Sequence, residues 1–316
     1  MITNRKLHHA VVLAEQGSFR SAAEVLHLTQ PALTRSIQSL ESALGVSLFD
    51  RGPGGVEPTT FGEVVIDRAR AILTGVSELE REIDLLQGLG AGTLEVSLGP
   101  YPAALSGKLA FARFYANHPE IQCRVRVAGY AEVADDVVQG RCELGLADLE
   151  IAAERGLMTE LVVDRQAYFF ARSQHPLAAR RRCTMADALQ FPWASIRFPK
   201  RAGRHLPDDV GRAGHWDLTS GEFVPALEAD VVSDFLTLAH DSDILVGGTF
   251  TMAEEYLAAG KLTVLPIVKP WLRLHYGFVS RRGRTQSPAA LEFMRIVREI
   301  EDDLEEREAA LRERFL

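Results

Sequence analysis

The 316-residue sequence predicts an α/β chain of three parts: a winged helix-turn-helix head, a long linker helix, and a two-lobed α/β body. Three observations predict it. Residues 18–37 read as two short amphipathic helices joined by a tight turn. Apolar residues then recur at alternating spacings of four and three from Val65 to Leu86. From Thr93 onward, short apolar runs alternate with helical patterns, the mark of sheets covered by helices. The parts divide as residues 1–58, 59–89 and 90–316, with one lobe at about 93–163 and 268–316 and the other at about 164–267.

In the head, a first helix through Leu7, Ala10, Val11 and Ala14 stops at Gly17. Ser18 is a candidate N-cap for the second, whose apolar stripe is Ala22, Ala23, Val25 and Leu26. Thr29 caps the third, with Pro31 in the first turn, where its missing N–H costs little. Leu33, Ile37, Leu40 and Leu44 then bury one face, and Gln30, Thr34, Arg35 and Gln38 point the other way. Those side chains suit the DNA major groove. Gln can pair bidentately with adenine, Arg with guanine or phosphate, and the Thr methyl can meet a thymine methyl. A small helical bundle with a solvated polar face is the plain alternative. Residues 46–51 and 56–58 around a Gly-Pro-Gly-Gly tip predict a two-stranded wing. Arg51 there reads as a phosphate or minor-groove contact, or as a solvated hairpin charge.

Thr60 and Glu63 fit a capping box that opens the linker helix. Its apolar positions are Val65, Ala69, Ile72, Val76, Leu79, Ile83 and Leu86. This is a heptad seam about 40 Å long at 1.5 Å per residue, narrow enough to want a matching helix from a second copy. The competing reading packs it on its own body. Gln87–Gly92 ends the helix; its glycines imitate a phosphate loop, but no strand precedes them and a hinge is the better reading.

In the body, strand candidates lie at 94–98, 121–127, 143–147, 161–171, 193–196, 226–232, 243–246, 262–265 and 272–279. Helix candidates lie at 103–116, 131–139, 233–240, 251–259 and 288–311. The alternation predicts mainly parallel sheets in two lobes, with a ligand cleft between them.

Composition narrows the function. The formal charge of −8 argues against indiscriminate nucleic-acid binding. Residues 1–60 sum to zero, so affinity must come from a few placed cations and from pairing of two heads. Cys123, Cys142 and Cys183 are odd in number and lack metal spacing; they read as reduced and buried, with a redox switch as the alternative. No nucleophile elbow, paired histidine ligand set or other catalytic constellation is present, so no catalytic residue, metal or cofactor is expected. With no N-terminal signal or long apolar span, the sequence reads as soluble and cytoplasmic, with no membrane partner.

Specific short stretches then resemble a known family. They are Ala14-Glu15-Gln16-Gly17-Ser18-Phe19, Ala22-Ala23, Thr29-Gln30-Pro31-Ala32-Leu33-Thr34, Leu40-Glu41, Leu44-Gly45-Val46 and Leu48-Phe49-Asp50-Arg51. Weaker marks are Gly92, Gly140 before Glu143-Leu144, His175-Pro176-Leu177-Ala178, Pro192-Trp193 and Ser287-Pro288-Ala289-Ala290. Over essentially its full length the chain resembles the LysR-type transcriptional regulators. The resemblance implies a periplasmic-binding-protein-like effector domain, homodimers pairing into homotetramers, and partners in double-stranded DNA, a small effector and RNA polymerase. It assigns DNA contacts to Gln30, Pro31, Thr34, Arg35, Gln38 and Arg51. It assigns effector contacts to Pro100, Tyr101, Pro102, Tyr130, Ser195, Arg197 and Ser233. The effector expected is a small organic anion gripped by Arg197, with an apolar effector, or an Arg197 satisfied by a buried Asp, as alternatives. A DNA-binding module fused to a redox-sensing or catalytic lobe is the alternative function.

Four departures stand out. Pro58-Thr59-Thr60-Phe61-Gly62 replaces the usual Leu-Thr-x-Ala-Gly, Glu143 stands where Asp is usual, and Pro100-Tyr101-Pro102 replaces small hydroxyl residues. The tail beyond Arg298 is unusually acidic and reads as a solvated helix or an assembly surface.

Overall fold

The computed structural model describes residues 1–52, 55–87, 92–229 and 231–316, and divides the chain into two units at Gln87/Gly88. The Pro53-Gly54 tip and most of the glycine hinge lie outside the described residues.

The first unit holds α1 (Asn4–Gln16), α2 (Phe19–Val25), α3 (Gln30–Leu44), β1 (Phe49–Gly52), β2 (Gly55–Pro58) and α4 (Thr60–Gln87). Thr3 caps α1 through its side chain, and Gly17 ends it in the left-handed region at φ 59°. Ser18 caps α2 by accepting from the Ser21 amide. Thr29 stands at the N-cap of α3 without a side-chain bond to the helix. Leu7, Ala10, Leu13, Ala22, Leu33, Ile37 and Leu40 close a common core. Val25, expected in that core, is 53 % exposed, because α2 is too short for its last turn to reach α1 or α3.

The wing is fastened to the helices by backbone bonds. The Val56 amide donates to the Gly17 carbonyl at 2.8 Å, and the Thr59 amide to the Leu48 carbonyl at 2.9 Å. Gly62 lies so close that a Cβ there would sit 2.0 Å from the Leu48 carbonyl oxygen. Thr59, not Thr60, caps α4: its hydroxyl accepts from the Gly62 amide and donates to the Ser47 carbonyl. β1 begins at Phe49 rather than Val46, because residues 46–48 are taken up by these bonds and by the Leu48 amide on the Glu41 carboxylate.

Early α4 belongs to the head. Ile66 and Ala69 are 3 % and 1 % exposed within this core, and Val65 and Leu73 pack against it. Of the expected seam, Ala69 is therefore filled by its own chain and Val65 is largely so. Val76 is half-buried, and Ile72 and Leu79 are 48 % and 58 % exposed. The side chains of Ile83 and Leu86 lie outside the described residues.

The second unit runs β3 (Thr93–Leu98), α5 (Pro100–Pro102), a π-helical turn (Ala103–Gly107), α6 (Lys108–Asn117), β4 (Gln122–Val127), α7 (Tyr130–Gln139), β5 (Leu144–Ala147), α8 (Leu149–Glu154) and β6 (Met158–Gln166). It continues with β7 (Tyr168–Arg172), α9 (Met185–Ala188), β8 (Trp193–Ser195), α10 (Lys200–Gly203), β9 (Gly214–Trp216), β10 (Phe223–Pro225) and β11 (Leu227–Glu228). It ends with α11 (Val232–Asp241), β12 (Leu245–Gly248), α12 (Phe250–Ala258), β13 (Leu262–Val264), β14 (Arg273–Ser280) and α13 (Pro288–Phe315).

Two five-stranded sheets result, ordered β4-β3-β5-β14-β6 and β11-β8-β12-β7-β13. They are mixed rather than mainly parallel. β14 runs antiparallel to both β5 and β6, and β7 antiparallel to β12 and β13. The cause is that the chain crosses from one lobe to the other and back, bringing in strands of opposite direction. The unbroken apolar run 161–171 is in fact two strands in different sheets, with Ala167 between them. Gln166 pins that crossing: its side-chain amide donates to the carbonyls of Ala167, Lys269 and Leu272, tying the outgoing strand to the returning one. The run 226–232 likewise holds only the two-residue β11 before Val232 opens a helix.

The acidic tail is a helix solvated on its outer face, where Asp302, Asp303, Glu305 and Glu306 are exposed, but packed along its inner one. Phe293, Ile296, Val297 and Ile300 of α13 fill the first lobe's core. Further along, Leu311 packs with Phe250, Ala253 and Leu257 of α12 in the second lobe. Glu308 is 5 % exposed and accepts from the Phe250 and Thr251 amides at 2.8 Å each, capping α12. Arg307 holds Glu254 through two bonds of 2.6 and 2.9 Å. Glu143 also finds a role, since it binds the Ser287 hydroxyl at 2.7 Å where Ser287 caps α13.

Candidate functional site

On the head, the exposed residues of α3 form the candidate nucleic-acid surface. Leu33, Ile37 and Leu40 are buried, so Gln30, Pro31, Arg35 and Gln38 are exposed and Thr34 half-buried on the remaining face. The Arg35 Nε donates back to the Pro31 carbonyl at 3.3 Å, which lays the guanidinium along the helix. The turn between α2 and α3 places His27 at φ 53°, a left-handed conformation that lets Thr29 start α3 so soon after α2. The Arg51 side chain lies outside the described residues.

In the second unit, two adjoining cavities open between the lobes. The larger, about 470 Å³, has Tyr130, Glu150 and Ile151 on one wall and Ile196, Arg197 and Lys200 on the other. The smaller, about 60 Å³, brings together Tyr101, Tyr130, Ser195, Arg201 and Gly247. Of the expected effector contacts, Pro100, Tyr130 and Arg197 line the first, and Tyr101, Tyr130 and Ser195 the second. Pro102 is buried behind Tyr101 and lines neither, because the chain turns into a helix at Pro100. Ser233 is exposed on α11, bonded to its neighbour Asp234, and also lines neither.

Tyr101 spans the lobes, its hydroxyl donating to the Gly247 carbonyl at 3.4 Å. Burial pushes the Tyr101 phenol up to about 12, the hydrogen bond with Ser195 opposing it. Burial likewise holds the Tyr130 phenol well above its ordinary value, reinforced by Tyr101 and Asp148. Both therefore stay hydroxyl donors at neutral pH. Gly99 makes room for the second ring, since a Cβ there would fall 2.1 Å from Tyr130 Cε1.

The charges differ from expectation. Arg197 is paired at 3.2 Å with Glu228 and at 3.6 Å with Glu222. It is half-exposed and offers an anion no free charge, so the acceptor is a pair of glutamates rather than the buried Asp considered above. In the cleft the buried carboxylate is Asp148, paired with the half-buried Arg201 of the other lobe. Sequence reasoning missed both. Asp148 carried a legible signal as the N-cap of α8, but nothing distinguished Arg201 from its neighbours Lys200 and Arg204.

Burial raises all three thiols, Cys142 to about 12, which disfavours the thiolate form at neutral pH. Among the described residues no cluster of His, Cys, Asp or Glu could hold a metal, and no helix is long and apolar enough to cross a membrane.

Two family models match the chain: "Bacterial regulatory helix-turn-helix protein, lysR family" over residues 4–63, and "LysR substrate binding domain" over residues 87–301. The chain belongs to the LysR family of transcriptional regulators. As a LysR-type regulator it is not an enzyme, and it carries a DNA-binding domain and an effector-binding domain. It is 36 % identical over 291 residues to the SDS degradation transcriptional activation protein of a Pseudomonas species, covering 90 % of this chain and 92 % of that one. It is 28 % identical to the HTH-type transcriptional regulator CbbR of Rhizobium meliloti, covering 94 % and 92 %. Its fold is that of a full-length, singly substituted OxyR from Pseudomonas aeruginosa, at TM-score 0.63 and 18 % identity, covering 94 % and 98 % of the two chains. The LysR family regulator CbnR in complex with its target DNA gives TM-score 0.56 at 21 % identity, covering 95 % and 100 %.

Proposed function

We propose that this LysR-type regulator binds operator DNA through α3, with Gln30, Pro31, Thr34, Arg35 and Gln38 as its contacts and Arg51 reaching from the wing. In the same reading it acts as a dimer or a dimer of dimers. Ile72, Val76, Leu79, Ile83 and Leu86 on α4 supply the apolar seam. A small molecule between the lobes alters its action on transcription. The observation that carries the reading is the exposed polar row on α3 above a fully buried apolar row. With a head that sums to zero charge, two heads on two half-sites are needed for useful affinity. The effector part rests on the interlobe cavities, whose combined size and mixed apolar and hydroxyl lining suit a small organic ligand.

Arg35→Ala tests the DNA surface. Fluorescence anisotropy at fixed salt, with DNA from the regulator's own promoter region, should show specific binding weakened by about 1–3 kcal/mol while sedimentation is unchanged. Unaltered affinity would remove Arg35 from the interface and count heavily against α3 as the reading helix.

A further inference from the structure

The chemistry of the larger cavity points away from an anion. Among the described residues, six carboxylates line it against three cations, and each cation already has a carboxylate partner. Arg155 holds Asp135 at 2.7 Å, Arg197 holds Glu228 and Glu222, and Lys200 lies 3.6 Å from Glu222. Asp148 is taken by Arg201, and Glu132 accepts from the Gly129 amide at 2.7 Å. That leaves Glu150 and Glu154, one turn apart on α8, whose carboxylates have no hydrogen-bond or ion-pair partner among the described residues. Like charges at that spacing repel, and no described cation relieves them. A second, independent observation lies beside them. Tyr130 is only 8 % exposed and lines both cavities, yet its hydroxyl has no hydrogen-bond partner among the described residues. Its ring is buried while its hydroxyl oxygen stays open to the cavities, placed to meet a ligand atom.

Taking the interlobe cleft as the effector site, we infer that the effector is an organic amine: a cationic nitrogen between Glu150 and Glu154, a short apolar body, and an uncharged oxygen reaching the Tyr130 hydroxyl. The apolar body is served by Ile151, Ile196 and Phe198. The smaller cavity, with Arg201 paired to Asp148, Arg273 and His275 both against Asp164, and hydroxyls from Tyr101 and Ser195, suits a neutral polar end.

Three probes with one six-carbon skeleton isolate charge: 6-amino-1-hexanol, 1,6-hexanediol and 6-hydroxyhexanoate. Isothermal titration of the full chain at fixed low salt should rank them in that order, the amine at least tenfold tighter than the carboxylate. Glu150→Gln with Glu154→Gln should weaken the amine about tenfold, the sum of two partly exposed ion pairs, and leave the diol unchanged. Tyr130→Phe should weaken amine and diol alike. Glu306→Gln, exposed and outside the lining of both cavities, controls for general attraction to an acidic chain. Tighter binding of 6-hydroxyhexanoate, lost in Tyr130→Phe, overturns the amine while keeping the cleft as the site. Amine binding untouched by all the cleft substitutions, or lowered equally by Glu306→Gln, overturns the cleft itself. Absence of amine binding overturns the amine.

Discussion

Replacing Glu308 with Ala removes a side chain by which α13, rooted in the first lobe, caps a helix of the second. The carboxylate accepts from two amides at 2.8 Å, and Phe250, which supplies one of them, is fully buried. Each buried donor left without an acceptor costs about 1–3 kcal/mol. The helix N-terminus adds about 0.3–1 kcal/mol in favour of a negative charge there. Against this, the carboxylate is itself buried, and burial raises its pKa, so deleting it returns part of the loss. The net is about 2–4 kcal/mol for Glu308→Ala, and about half that for Glu308→Gln, which keeps one acceptor oxygen. Because the chain has two units, a single melting temperature would blur the effect. Hydrogen exchange at residues 250–254 reads it locally. The amides should exchange about 30-fold to several hundred-fold faster in Glu308→Ala, while β3 and β5 stay protected. The sign with pH follows from the raised pKa. The protonated form is the one favoured by folding, so this residue's stabilising term is present in full below the ordinary carboxylate value. It falls as pH rises through the raised one. The advantage of the native residue over Glu308→Gln should therefore narrow from acid to neutral pH. Unchanged exchange at 250–254 in Glu308→Ala would refute the cap and leave α13 as a helix of the first lobe alone.

Three further substitutions bear on other parts of the chain. Gly62→Ala would set a Cβ 2.0 Å from the Leu48 carbonyl, backbone against backbone, and should destabilise the head by about 1–3 kcal/mol or more in urea unfolding followed by circular dichroism; native stability would show that the wing can move away freely. Ile72→Asp with Leu79→Asp places charges on the two most exposed apolar positions among the described residues of the expected seam and should shift sedimentation to the monomer. A dimer that survives both would place the pairing surface elsewhere. Gly99→Ala would put its methyl 2.1 Å from the Tyr130 ring, so the ring must leave its place; ligand-induced protection of the cleft should fall at least tenfold, and full retention would mean the ring is not fixed by Gly99.

The head was legible nearly residue by residue because its signals are local. Gly17, Ser18, Thr29 and Pro31 punctuate the helices, and the three- and four-residue spacings choose the buried face. Where it failed, at Val25 and at Ala69, the deciding fact was which neighbour lay opposite, which spacing cannot express. Ala69 satisfies a heptad, but it also lies within reach of the head's core, and the shorter-range partner wins. The body was legible as alternating strands and helices but not as two mixed sheets, since one apolar run hides the crossing at Ala167. The cleft was least legible. Its aromatic side, Tyr101 and Tyr130, came only from the family resemblance, whereas its charges depend on which cation meets which carboxylate across two lobes. Arg197 and Arg201 lie four residues apart with opposite fates, one shared between surface glutamates and one buried on Asp148.

The cap and the cleft share one short piece of chain. β12 ends at Gly248 and α12 begins at Phe250, so the Gly247 carbonyl that accepts from Tyr101 lies only three residues before the amide that Glu308 holds. A ligand that takes the Tyr101 hydroxyl releases Gly247 on one side of this turn, while α13 continues to hold Phe250 and Thr251 on the other. The turn between them is Thr249, fully buried, its hydroxyl bonded to that of Thr251. A segment so constrained does not absorb displacement by bending, because close-packed buried groups shift between discrete arrangements rather than deform. With the crossing at Ala167 pinned by Gln166, relative movement of the lobes would have to tilt α13 together with α12. The acidic tail thus joins the lobes beside the cleft: Glu301 is buried where it accepts from the Tyr276 hydroxyl in the first lobe, and Glu308 where it holds the start of α12 in the second.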